Sequence, residues 1–314
     1  MGQFIARELK KSEYVDSLSI CDIKFESNYI DGGVEYFKSL TDANVKNFDC
    51  VFVATPANTH CEVLEYLINS GVKNIYVEKP AVINAEEFDR ISAIKGDCKI
   101  ATGYILRQSE SMSALRKVMS ELYEEGFRLE VCSVTYQKFL PASYEERAKG
   151  DIGVFEEIVH VWDLIFNYFG LRRADIVYHG SRLEEDEEKA GRTIFADLSY
   201  LLESADCHAL VHIISSFKAL SKKREFQFFF KDTDGIRRNV FLSFDNADNT
   251  DRVLVTDSQD KTIYRGEYPA LSKLEQQTRE VFKYFESGNK KNLALFEDTS
   301  TINDLFEKAG VTIC

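Results

Sequence analysis

Two short stretches hold the residue types that move protons. Glu78-Lys79-Pro80 sets an ammonium beside a carboxylate at the end of an expected strand, Lys73 to Val77. Further on, Glu156, His160, Asp163 and Asn167 recur at the spacing of one helical stripe, beside an apolar stripe of Phe155, Ile158, Val159, Trp162, Phe166 and Phe169. An imidazole titrates near neutrality and suits the removal of an alcohol proton. An ammonium steadies the oxyanion that grows as the proton leaves, and it relays the proton if burial lowers its pKa. Glu156, one turn before His160, would orient the ring or hydrogen-bond a substrate. The competing readings are a surface lysine at 79 and, at 155–169, a core helix with a solvated polar face.

The elements that must position these groups read as follows. Gly2 to Leu9 opens as a helix, and Ser17 to Lys24 is a strand ending at Asp22. Gly32-Gly33 is a turn, and Val34 to Leu40 is expected as a short helix. Asp49 to Ala54 is an apolar run suited to a strand buried on both faces, broken by Thr55-Pro56. Thr59 with Glu62 has the pattern of a capping box; Val63, Leu64, Leu67 and Ile68 share one face of the helix it starts, and Gly71 ends it. Lys73 to Val77 returns as a strand. The result is a βαβ unit of a parallel sheet, with Glu78 and Lys79 at the carboxyl edge where ligands of such sheets bind. Asn84 and Glu87 predict the cap of a helix reaching Lys95, and Lys99 to Thr102 a further strand.

The string ATPxxxH at Ala54–His60, followed in register by EKP at Glu78–Pro80, resembles the signature of the glucose–fructose oxidoreductase / inositol dehydrogenase (Gfo/Idh/MocA) family of NAD(P)-dependent oxidoreductases. The likeness extends, more weakly, over nearly the whole chain. It implies NAD as cofactor, with NADP not excluded, held by Gly2, Asp22, Thr55, Pro56, Asn58, His60, Glu78 and Lys79. It implies catalysis by Lys79, His160 and Glu156, with Glu156 standing where the family has aspartate and Ile158 where it has glycine. Tyr104, Arg107, Tyr136 and Arg147 are expected to face substrate, with Lys138, Tyr144 and Lys149 nearby. Gln108-Ser109-Glu110 departs from the family pattern. Gly2 matches the last glycine of GxGxxG; the first strand and the two earlier glycines are not found in residues 1–314. Either the true start lies upstream or the cofactor site is altered. Asp22 would accept hydrogen bonds from the adenosine ribose and disfavour a 2′-phosphate, whereas Lys24 pulls the other way.

Helix Ser111 to Glu125 and strand Leu129 to Tyr136 precede the His160 helix. From Ala174 the pattern turns to strands separated by turns such as Asp232 to Gly235 and Asp257 to Asp260, which implies hairpins of an antiparallel sheet. Leu271 to Phe285 and Ser300 to Ala309 are amphipathic helices. The expected fold class is α/β: a Rossmann-like parallel-sheet domain lacking its first strand, residues 1–105, then an α+β domain with an open, mostly antiparallel sheet, residues 106–314. The second domain would bind substrate and form a homo-oligomer through its sheet, as the family does.

A net charge of −13 makes nucleic acid and anionic membrane surfaces poor partners. No apolar run approaches the roughly 20 residues of a membrane span. The seven scattered cysteines suggest reduced thiols in a cytoplasm. The sequence therefore points to hydride transfer between nicotinamide and a sugar, sugar derivative or polyol. The rival is a non-catalytic dinucleotide- or sugar-binding regulator on the same fold; no metal site is expected, since no HExxH or clustered ligand spacing occurs.

Overall fold

The computed structural model describes residues 1–139, 153–186, 192–204, 207–270 and 273–310. In chain order the elements are α1 (Gly2–Lys11), β1 (Ser19–Cys21), β2 (Tyr29–Asp31), β3 (Val34–Phe37), α2 (Leu40–Ala43), β4 (Val51–Val53), α3 (His60–Asn69), β5 (Asn74–Val77), α4 (Ala85–Ile94), β6 (Lys99–Thr102), α5 (Glu110–Glu124) and β7 (Arg128–Phe139). Then come α6 (Phe155–Trp162), β8 (Asp175–Glu185), β9 (Thr193–Ser204), β10 (Cys207–Ser216), β11 (Lys218–Lys231), β12 (Arg237–Ser243), β13 (Thr250–Asp257), β14 (Thr262–Pro269), α7 (Lys273–Ser287), β15 (Ala294–Leu295) and α8 (Thr299–Lys308).

The chain divides into two compact units. The first comprises Met1–Ile105 and Ser272–Thr299, the second Leu106–Leu271 and Ser300–Cys314. Residues 272–299, assigned to the second domain on sequence grounds, thus fold with the first.

In the first unit β4, β5 and β6 are parallel, and β15 adds an antiparallel edge beside β6. Alternation along each strand feeds two cores. Ile75, Val77 and Ile100 pack with Leu64, Leu67 and Ile91 of α3 and α4. Tyr76 and Ala101 face the other way, with Ile5 and Leu9 of α1 and Val281 and Phe282 of α7. A sheet covered on both faces favours strands apolar on both sides, which is how Val51–Val53 and residues 75–77 read. Among the described residues, β1 and β4 each have a single hydrogen-bonded neighbour: β1 pairs with β3, and β4 with β5. β1 and β4 thus edge two separate sheets, whereas the doubly wound order 3-2-1-4-5-6 pairs the corresponding strands with its first.

Two local expectations fail, each for a local reason. Of the helix expected over Val34–Leu40, Val34–Phe37 is a strand: Gly32 and Gly33 both take positive φ, 55° and 79°, and form the two-residue hairpin turn that brings β3 antiparallel to β2. Tyr29 and Tyr36 stack across it with ring centroids 4.5 Å apart. Thr59 forms no capping box. It lies in a 3₁₀ turn, Ala57–Thr59, and its hydroxyl donates to the Pro56 carbonyl at 2.7 Å, with Thr55 Oγ1 2.8 Å away, so Thr59 stands at the N-cap position without capping the helix through its side chain. Asn84 does cap α4, accepting from the Glu87 amide at 2.8 Å.

The second unit is built on the sheet β14-β13-β12-β11-β7-β10-β9-β8, antiparallel throughout except for the β7–β10 pair. One face carries Cys132, Val134, Val211, Ile213, Phe226, Phe228, Val240 and Val253, all buried. Beyond the sheet, Phe155 and Trp162 of α6 pack against Phe306 of α8.

Candidate functional site

The carboxyl ends of β4, β5 and β6 lead directly into Thr55-Pro56, Glu78-Lys79 and Gly103-Tyr104. Thr55, Pro56 and Asn58 are exposed there, and Lys79 is half-buried. The start of α1 lies beside the same edge, since a Cβ built on Gly2 would sit 3.7 Å from Ala54 Cβ. That is ordinary van der Waals contact, so position 2 does not itself require glycine. Asp22 follows β1 and is exposed; its Oδ1 accepts from the Lys24 amide at 2.9 Å, which holds the carboxylate in a turn. An exposed loop after β4, together with a helix start beside it, suits a dinucleotide.

His60 differs from its expected role. It is buried, with Nδ1 2.8 Å from the Pro80 carbonyl and Nε2 2.9 Å from the Thr55 carbonyl. Both ring nitrogens face backbone carbonyls, so His60 braces the Thr55 turn against the Glu78–Pro80 turn. Burial lowers its pKa, although the two carbonyls and the neutral ring's single N–H pull against that.

Glu78 is buried and its pKa is raised by desolvation. The Tyr76 hydroxyl donates to Oε1 at 2.7 Å and opposes that rise, as do Lys79 and the amino end of the chain. Residues two apart on a strand share a face, so Tyr76 supports Glu78 directly. Sequence reasoning missed Tyr76; its signal was a hydroxyl two residues before an acid at a buried strand end.

In the second unit α6 is set by Gly153. Its φ of 66° is left-handed, and a Cβ there would collide with the Thr193 carbonyl, which accepts from the Val154 amide at 2.8 Å. The polar stripe of the helix is not a solvated face: His160 is buried and Asp163 entirely so, with Glu156 half-buried. After Trp162 the helix widens into a π turn, Asp163–Tyr168, closed by the Phe169 amide on the Leu164 carbonyl. Asp163 accepts a forked pair from Arg107, Nε to Oδ2 at 2.7 Å and Nη2 to Oδ1 at 2.5 Å, with Asn167 Nδ2 at 3.3 Å from Oδ1. The stripe thus separates into a Glu156–His160 half and an Asp163–Asn167 half bound to Arg107.

Arg107, expected at substrate, is 5% exposed and engaged in that pair. Tyr104 is in the core of the first unit. Tyr136 is buried, its pKa raised by burial; it hydrogen-bonds Glu157, and the Arg224 guanidinium lies over its ring at 4.8 Å. Lys138 pairs with Glu157, and Arg224 Nη1 with Asp245 at 2.6 Å. These three belong to internal networks. Tyr144, Arg147 and Lys149 lie outside the described residues.

Comparison with known proteins bears on this arrangement. The family model described as "Oxidoreductase family, NAD-binding Rossmann fold" (Gfo/Idh/MocA) matches residues 4–97. No curated protein matches by sequence. Among solved structures, the UDP-N-acetylglucosamine 3-dehydrogenase of Acidithiobacillus ferrooxidans is 18% identical, with 99% of this chain and 92% of that one covered at a TM-score of 0.72. A 3-ketoreductase of Actinomadura kijaniata, solved with NADP and TDP-benzene, is 12% identical over 96% and 91%, TM-score 0.75. GenD2 from gentamicin A biosynthesis, in complex with NAD, is 16% identical over 99% and 90%, TM-score 0.75. The chain shares the fold of these proteins, and its residues 4–97 match the NAD-binding Rossmann model of that oxidoreductase family.

Proposed function

We propose that this protein is an NAD(P)-dependent oxidoreductase that carries hydride between nicotinamide and an alcohol carbon of a sugar, sugar derivative or polyol. The observation that carries this reading is Lys79, half-buried at the carboxyl end of β5 beside buried Glu78, in a domain of an NAD-binding oxidoreductase family. Bound NAD(P) supplies the hydride acceptor or donor. Asp22 favours NAD. Thr55, Pro56, Asn58 and the start of α1 hold the dinucleotide, and Glu78 accepts from a cofactor hydroxyl. His160 takes the alcohol proton, Glu156 orients the imidazole, and Lys79 steadies the oxyanion.

Fluorescence titration with NADH, then turnover on a panel of sugars, tests the reading. UDP- and TDP-sugars come first, because similar structures are named for a UDP-sugar dehydrogenase and solved with a TDP compound. Lys79→Met is expected to lower turnover by about a thousandfold while NADH still binds, in line with loss of a charge that stabilises the transition state. Undiminished turnover would remove Lys79 from the mechanism.

One observation favours a non-catalytic dinucleotide- or sugar-binding regulator instead: Glu156 and Ile158 stand where the family has aspartate and glycine. NADH binding without turnover on any sugar would establish that alternative. The homo-oligomer is supported by the outer sheet face, where Leu201, Leu210, Val131 and Phe229 form a row on β9, β10, β7 and β11. Leu210→Arg is expected to shift the sedimentation of the protein toward monomer. The cysteines described are free thiols, which supports a cytoplasmic setting. Among the described residues no helix is long and apolar enough to cross a membrane.

A further inference from the structure

Tyr76, which holds Glu78 from two positions before it, is itself met by a residue 201 positions further along the polypeptide chain. The Tyr76 hydroxyl lies 2.7 Å from Glu78 Oε1 and 3.0 Å from the Gln277 side-chain amide on α7. Tyr76 and Gln277 are each 1% exposed and Glu78 is 6% exposed. As placed, Gln277 turns its carbonyl oxygen to the phenol, and its Nε2 has no partner. A phenol has one proton and cannot donate fully to two acceptors. Turning the amide by half a rotation resolves both problems: Nε2 donates to the phenol oxygen, and the phenol proton is free for the carboxylate.

We propose that Gln277 and Tyr76 are positioning residues that fix the Glu78 carboxylate through the chain Gln277 Nε2–H to Tyr76 Oη–H to Glu78 Oε1. This rests on the reading of Glu78 as a cofactor contact. Two further features support it. Gly103 is what leaves room for the pair, since a Cβ there would lie 2.7 Å from the Tyr76 hydroxyl oxygen and 3.0 Å from Glu78 Oε2. Helix α7 is held firmly enough to aim an amide: Val281, Phe282, Tyr284 and Phe285 are buried in the core with Tyr76, and the Phe282 ring stacks on Tyr14 at 5.3 Å. The return of residues 272–299 to the first unit therefore delivers a hydrogen-bond donor to the sheet edge. A donor behind the phenol polarises it and strengthens its bond to the carboxylate. A carboxylate accepting that bond is favoured in its charged form.

The test is a carbon-13 titration of glutamate carboxyls in the full chain, with Glu78→Gln identifying the signal. Tyr76→Phe is expected to raise the Glu78 midpoint, and Gln277→Met, which keeps the volume and removes the donor, to raise it by a smaller step. The NADH Kd at neutral pH is expected to rise about tenfold in Tyr76→Phe, the scale of losing a hydrogen bond to a charged group. Melting temperature, followed alongside, reports any general loss of packing. An unmoved midpoint in Gln277→Met overturns the chain, and this variant decides if Tyr76→Phe does not fold. A moved midpoint with an unchanged Kd overturns the cofactor role of the positioned carboxylate. If the unaltered protein binds no NADH, the proposed function fails, while the titration still decides whether the chain exists.

Discussion

Two buried carboxylates are held in opposite ways. Asp163, in the second unit, meets the forked guanidinium of Arg107 at 2.5 and 2.7 Å, so its charge is balanced where it lies. Glu78, in the first, is held by a neutral phenol, and desolvation pushes its pKa up. A matched ion pair fixes local structure and leaves little for a ligand to do. An acid whose burial is only partly offset gains most from a further donor, such as a hydroxyl. The contrast marks Glu78 as the group awaiting a partner and Asp163 as the one already provided for.

The comparison is broken most directly at Arg107. Arg107→Met leaves Asp163 buried beside an apolar side chain and is expected to cost about 3–5 kcal/mol. The double variant Arg107→Met/Asp163→Leu should regain most of that loss in denaturant melts. A single variant as stable as the unaltered protein would show that the pair is not desolvated.

Glu78→Gln is expected to act in the opposite direction and to raise the melting temperature at neutral pH by a few degrees. The sign follows from linkage. The folded-state pKa of Glu78 lies above 4.5, so the stability it contributes below pH 4.5 is lost as pH rises through the folded value. The advantage of Glu78→Gln should therefore shrink toward pH 4 and grow above it; a pH-independent difference would dismiss burial as the cause.

His60 sharpens the contrast from the cationic side. Its folded pKa is below 6.5, so its contribution is present above pH 6.5 and is lost as pH falls through the folded value. His60→Asn should lose about 1 kcal/mol at pH 8 through one hydrogen bond, and less as the pH is lowered. Melts of the two proteins that run parallel from pH 8 to 5 would refute this. The smallest effect is expected at Asn84→Ala, on the order of 1 kcal/mol for a lost helix cap, read in denaturant melts at pH 8.

Much of the first unit was legible because its signals are local. An apolar run buried on both faces, Gly71 with φ of 88° closing α3, and Asn84 three residues before Glu87 all act within a few positions. Where a competing local bond existed, the pattern misled: the Thr59 hydroxyl found Thr55 and the Pro56 carbonyl in place of an amide, and the Gly32-Gly33 turn imposed a strand on Val34–Phe37. His60 matched the family string in sequence, yet only the fold revealed that both its nitrogens are taken by carbonyls.

The sequence by itself determined the parallel βαβ core, the antiparallel second sheet, and Glu78 and Lys79 at a strand end, because period and punctuation are written in neighbouring residues. Tertiary structure alone decided which acids are satisfied. Arg107 meets Asp163 across 56 positions and Tyr76 meets Gln277 across 201, and no local spacing encodes either meeting. Burial and hydrogen bonding set the charge of a carboxylate, and both depend on what the folded chain brings to it.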